Sequence, residues 1–179
     1  MKALLDACVL YPTVMREMLI GTARAGLYQP LWSPRILEEW AHTGRRFGAE
    51  VEAQARGEIA MLQANWPRSE VRLQPGQEDR FWLPDPADIH VLAAAVVGHA
   101  DVIVTTNAKD FPQQVLAEDG LSRVDPDNFL LGYFQASPDP VRAVAEDVLA
   151  TARRLSGEDW TMRALLKKAR LPRLGKALA

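Results

Sequence analysis

The stretch Leu83–Phe111, reading LPDPADIHVLAAAVVGHADVIVTTNAKDF, constrains the fold of this chain more than any other. It opens on the turn Leu83-Pro84-Asp85-Pro86. A run apolar on nearly every face follows from Ile89 to Val97, and Gly98-His99 stops it. Val102–Thr105 then reads as a short strand, and Thr106, Asn107, Lys109 and Asp110 form a polar cluster behind it. A helix that is apolar all round is buried. Helix, strand and polar residues at the strand's carboxyl end make half of an α/β unit, and in open α/β sheets that end is where ligands bind. Asp85 and Asp88 sit in the first turn of the buried helix. They read either as capping residues, with Pro86 at the first helical position, or as carboxylates facing a cation at the sheet edge. The stretch alone leaves both readings open.

Composition narrows the setting. With 179 residues the chain suffices for a domain of ordinary size, and 48% hydrophobic with 25% charged residues is usual for a globular protein. No run of about 18 apolar residues is present to span a membrane, and the charge at Asp6 comes too early for a secretory signal. A cytoplasmic location is the expectation. The single Cys8 rules out an internal disulfide and a cysteine-based zinc site. The net charge of −2 conceals an asymmetry. Residues 160–179 hold six cations (Arg163, Lys167, Lys168, Arg170, Arg173, Lys176) and no acid, which leaves −8 on the rest. An acidic body suits cations, and a basic tail suits an anionic partner.

Ala3–Leu5 is expected to be a buried first strand that ends in Asp6. A carboxylate straight after a buried strand has few structural reasons to be there. Capping the next helix is one, but Thr13 is better placed for that. Thr13–Gly26 carries a helical apolar stripe. Ser33-Pro34 opens another helix, in which Ile36, Leu37 and Trp40 share a face, Glu39 borders it and Glu38 points to solvent. Gly44-Arg45-Arg46-Phe47-Gly48 reads as a loop whose basic pair can touch a phosphate, a solvated surface pair being the plainer reading. Glu50–Trp66 is a charged amphipathic helix. Ser69–Leu73 is a possible short strand, Pro112–Ala117 a short helix, Leu121–Val124 a brief strand, and Asp125-Pro126 the start of a helix through Phe134. Pro138 and Pro140 mark a boundary. Two further helices are expected over Val141–Leu155 and Glu158–Arg170.

Asp6, Glu39, Asp88 and the Asn107/Asp110 pair are dispersed in sequence. Most fall at a strand end or in the first turns of a helix, points that converge on one edge of a doubly wound sheet. Converging carboxylates raise one another's pKa unless a cation intervenes. Oxygen-only ligands select Mg²⁺ or Mn²⁺, and such a site suits hydrolysis of phosphate esters. Neither G-x-x-x-x-G-K-[ST] nor G-x-G-x-x-G occurs. His42, His90 and His99 lack metal-ligand spacing, and His90 reads as a packed helix residue.

LLDACVLYP, SPRILEEW, DPADIHVLAAAV and VIVTTNAKDFP, in that order, resemble a PIN domain, and more narrowly the VapC-type toxins of bacterial toxin–antitoxin pairs. The resemblance spans about residues 1–135. It implies a three-layer α/β/α sandwich with a central parallel sheet, followed by a helical C-terminal extension over 136–179. It also implies a Mg²⁺- or Mn²⁺-dependent endoribonuclease acting on single-stranded or loop RNA, a cognate antitoxin as partner, and a homodimer. The family's acidic residues fall on Asp6, Glu39 and Asp88, and the fourth position, after the T-x of a T-x-D motif, is Asn107. Asparagine is a weaker cation ligand, so Asp110, or Asp85 from across the site, is the expected substitute. Thr105 or Thr106 is expected to position phosphate oxygens. Two other readings follow from the same residues: a PIN-like module that binds RNA or protein without cleaving, favoured by Asn107, and a haloacid dehalogenase-type phosphatase, disfavoured because Cys8 stands where that family has its second aspartate.

Overall fold

The computed structural model describes residues 1–179. In chain order it forms β1 (Lys2–Leu5), α1 (Ala7–Leu10), α2 (Thr13–Arg24), β2 (Gln29–Leu31), α3 (Pro34–Arg45), α4 (Ala49–Asn65), α5 (Ile89–Val97), β3 (Val102–Val104), α6 (Gln113–Ala117), β4 (Ser122–Val124), α7 (Pro126–Ala136), α8 (Pro138–Ser156), α9 (Met162–Lys168) and α10 (Pro172–Leu178). Single 3₁₀ turns occupy Pro86–Asp88 and Ala108–Asp110. The chain divides into two compact units, one of Met1–Tyr11 with Gln29–Val124, the other of Pro12–Tyr28 with Asp125–Ala179.

The first unit is built on a parallel sheet of order β2-β1-β3-β4. Leu4 pairs with Leu31 on one side and Ile103 on the other, and Ile103 pairs with Arg123. The apolar runs that predict β1 and β3 are the sheet's buried centre: Ala3, Leu4, Leu5, Ile103 and Val104 are wholly inaccessible. Buried parallel strands read as continuous apolar segments for this reason. The helix predicted over Ile89–Val97 is α5, packed on β1 and β3, with His90–Ala95 buried. From β1 the chain passes to β2 on one side, while β3 and β4 lie on the other. The carboxyl ends of β1 and β3 therefore flank the point where strand order reverses, the usual ligand crevice of such sheets. The α/β class and parallel sheet are those expected.

Several local expectations are revised. β2 is not expected from the sequence; it contains Pro30 but is an edge strand, where one missing N–H is tolerated. Ser69–Leu73 forms no strand, only a parallel bridge between Trp32 and Glu70. The loop expected over Gly44–Gly48 shrinks because α3 runs on through Arg45. Gly44 is buried where α4 crosses, and a Cβ there would come within 3.3 Å of the Val51 carbonyl oxygen.

The second unit is helical. Tyr28, Phe129 and Tyr133 cluster at centroid separations of 4.9–5.7 Å, the two tyrosines stacked and Phe129 edge-on to both, and the Tyr28 hydroxyl donates to the Leu19 carbonyl at 2.7 Å. Pro138 and Pro140 fall in the first turn of α8, where a missing N–H has no consequence, and Ser137 alone separates α8 from α7. The expected helix over Glu158–Arg170 is shorter, and α10 follows it unforeseen. Asp127 of α7 is buried and accepts the backbone N–H groups of Arg173 and Leu174, both at 2.9 Å, so it caps α10 from a different helix. Asp127→Ala strands those donors and is expected to cost about 1–3 kcal/mol. A thermal melt checks this, at about 2–4 °C per kcal/mol for a chain of this size; an unchanged midpoint would remove the cap from the account.

Candidate active site

Asp6 leaves β1 at the crevice and does two things at once. Its Oδ1 accepts the Ala7 N–H at 2.7 Å, capping the one-turn helix α1, which the sequence reading did not anticipate. Its Oδ2 accepts the Thr105 hydroxyl at 2.8 Å and lies 3.2 Å from Cys8 Sγ. The residue is 6% exposed. Burial pushes its pKa up; the hydrogen bonds from Thr105, Cys8 and Ala7 pull the other way, and Glu39 adds repulsion. Cys8 is held as a thiol, raised to about 11 by burial and by Asp6. Thr105 is itself buried and also accepts the Asn107 N–H at 3.0 Å. Its hydroxyl is engaged with Asp6, whereas Thr106 beside it is exposed.

A second set of carboxylates gathers beside the first. Asp85, Asp88 and Asp110 each place one oxygen within 4.8 Å of the others. Asp88 lies in the 3₁₀ turn Pro86–Asp88, and Asp85 caps that turn by accepting the Ala87 N–H at 2.9 Å. In a 3₁₀ turn residues three apart eclipse, so Asp85 and Asp88 project to one side. The capping and cation-facing readings of Asp85 are therefore compatible. Asp88 Oδ2 is buried and has no hydrogen-bond partner. Its pKa is raised to about 6, first by desolvation, then by Asp6, Asp85, Asp110 and Glu39.

Asn107 stands at the head of the second 3₁₀ turn, and its Nδ2 donates to Asp110 Oδ2. The amide orients the carboxylate three residues on, so position 107 acts through Asp110.

Glu39, on α3, meets α5 through His90. His90 is 1% exposed, and its Nε2 lies 2.7 Å from Glu39 Oε1, off the N–H axis, so neither ring nitrogen has a properly directed hydrogen bond. The packed-residue reading of His90 is right about burial but misses this contact. Arg35 approaches Glu39 at 3.9 Å and Glu78 at 3.7 Å. Glu38, expected to be solvated, is indeed on the surface but paired with Arg56 at 2.8 Å, which lowers its pKa. Of the basic pair, Arg45 approaches Glu52 at 3.7 Å and Arg46 closes α3.

Of the expected metal set, Asp88 and Asp110 fall in the tight group, Asn107 supports Asp110, and Asp6 and Glu39 lie outside it while raising the pKa of Asp88. Asp85 completes the group. Its signal in the sequence is the D-x-x-D spacing, which reads as one face only once a 3₁₀ turn is known. Three carboxylates, one of which also carries a buried oxygen without a donor, fit a hard divalent cation. A neutral ligand would leave the buried Asp88 oxygen uncompensated.

A family model described as "PIN domain" matches residues 2–109. A protein of Mycobacterium tuberculosis (strain ATCC 25618 / H37Rv) described as "Putative ribonuclease VapC50" is 46% identical over 57 residues. That match takes in 32% of this chain and spans about a third, 34%, of the relative. No solved structure matches the chain.

Proposed function

Because the chain belongs to the PIN domain family, we propose that it is a metal-dependent endoribonuclease cleaving single-stranded or loop RNA. We place it as the toxin of a type II toxin–antitoxin pair, with a cognate antitoxin and a homodimeric state as its partners. The proposed nuclease domain is residues 1–135 and the proposed extension 136–179. An RNA substrate and such a partner put its work in the cytoplasm. No helix is long and apolar enough to cross a membrane. The observation that carries the reading is the buried, unpartnered Asp88 oxygen among carboxylates at the carboxyl edge of a parallel sheet.

The residues divide the work as follows. Asp85, Asp88 and Asp110 would hold Mg²⁺ or Mn²⁺, with Asp6 and Glu39 completing the negative wall. When bound there, the ion supplies activation of water and neutralises charge developing on the phosphodiester. Thr105 keeps the Asp6 carboxylate facing the crevice, and Asn107 does the same for Asp110. Thr106, exposed beside them, offers a hydroxyl to a phosphate oxygen.

Mn²⁺-dependent cleavage of a mixed RNA pool tests the proposal, with Asp6→Asn and Asn107→Asp alongside. The natural chain is expected to cut and Asp6→Asn to lose at least about 100-fold, since even residues behind the ligands contribute 10–100-fold. If only Asn107→Asp cuts, the natural chain is a binding module on a disabled nuclease, the reading that Asn107 favours.

A further inference from the structure

The six cations of residues 160–179 are all exposed, and none is paired with a carboxylate. Lys168 Nζ lies over the Trp160 ring at 4.8 Å and Arg173 Nη1 donates to the Asn128 amide oxygen at 2.7 Å, both neutral partners. Elsewhere cations are commonly neutralised: Arg56 by Glu38 and Glu52, Arg72 by Glu70, Arg80 by Asp119. A mere solubilising surface would intersperse both signs. This one has a single sign and sits in a chain whose other residues carry −8.

The fold also brings these charges together. Leu165 and Leu166 of α9 and Leu174 and Leu178 of α10 are buried, which turns Arg163 and Lys167, four apart, outward on α9, and Arg173 and Lys176, three apart, outward on α10. Gly175 sets how closely the two helices approach. A Cβ there would lie 3.0 Å from Leu166 Cβ and 3.4 Å from the Arg163 carbonyl oxygen. The Arg163 end of α9 thus rests against the middle of α10, with Lys176 the next residue. Asp127 locks the start of α10 beneath Arg173.

We propose that the α9–α10 pair is a binding surface for the phosphodiester backbone of single-stranded RNA, independent of base sequence. The inference rests on the RNA substrate proposed above. Exposed cations without an ion-pair partner bind a polyanion through release of its condensed counterions, and the affinity falls steeply with salt.

Fluorescence anisotropy with a labelled single-stranded RNA of mixed sequence tests this, in EDTA so that cleavage plays no part. The natural chain is compared with Arg163→Gln/Lys167→Gln/Lys176→Gln, and with Arg72→Gln as a control on a paired cation, across a series of NaCl concentrations. The triple variant is expected to bind about 10-fold more weakly and to lower the slope of log K against log salt by about 2, three contacts at about 0.7 each. Arg72→Gln should change neither. An unchanged affinity and slope in the triple variant overturns the proposal, as does binding to phosphatidylserine vesicles or poly-glutamate with none to RNA. If the chain binds RNA through these residues yet never cuts it with Mn²⁺, the nuclease reading fails and this surface stands. If it cuts while the triple variant binds RNA as well as the natural chain, only the surface fails.

Discussion

Without metal, Asp88→Asn is expected to melt higher than the natural chain, while losing Mn²⁺-dependent cleavage by at least about 100-fold. The two effects have opposite signs for one reason. Asp88 Oδ2 is buried without a donor, and Asp6, Asp85, Asp110 and Glu39 all repel its charge. A neutral amide removes that repulsion and with it a ligand. After screening at a half-buried site the gain is about 1 kcal/mol, or about 2–4 °C for a chain of 179 residues. Mn²⁺ should raise the melting temperature of the natural chain, because a ligand that binds only the folded state stabilises it, and should leave the variant unmoved. A variant that melts lower and still cuts would make Asp88 a structural residue and dismantle the proposed centre.

The second large effect concerns pH. Asp88 titrates at about 6 in the folded chain against 3.8 unfolded, and burial raises Asp6 in the same direction. Between those values the folded state binds more protons than the unfolded state. Stability therefore falls as pH rises through that window and levels off above it. Metal-free protein should melt higher at pH 5 than at pH 7.5. Glu38, which Arg56 holds below its usual value, works in the opposite direction, but an exposed pair is worth little and does not reverse the trend within that window. With saturating Mn²⁺ the rise toward pH 5 should disappear, because protons and metal compete for the same oxygens. Melting curves across this range, with and without Mn²⁺, decide the matter. A metal-free profile that is flat between pH 5 and 7.5, or one that Asp88→Asn leaves intact, would separate these carboxylates from the stability of the crevice.

Periodicity and strand-end position made much of this molecule legible from the sequence. The buried runs of β1, α5 and β3 were readable because apolar patterns of the observed lengths leave few alternatives, and the place of Asp6 behind β1 followed from them. What local pattern could not show was anything resting on a partner distant in the chain. Pro30 is acceptable only because β2 is an edge strand, which is a property of the sheet. Gly44 lies inside α3 because α4 crosses there.

The same division holds at the candidate site. By itself the sequence determined which carboxylates exist and that several lie at strand ends or helix starts, where a parallel sheet collects them. Tertiary structure alone decided their contacts: Thr105 turned inward to Asp6 across 99 positions of sequence, Asn107 donates to Asp110, and Asp85 joined Asp88 and Asp110. The physical reason is range. Backbone propensity and hydrophobic period act over a few neighbouring residues, whereas desolvation, charge repulsion and hydrogen-bond direction depend on which groups folding brings within a few ångströms.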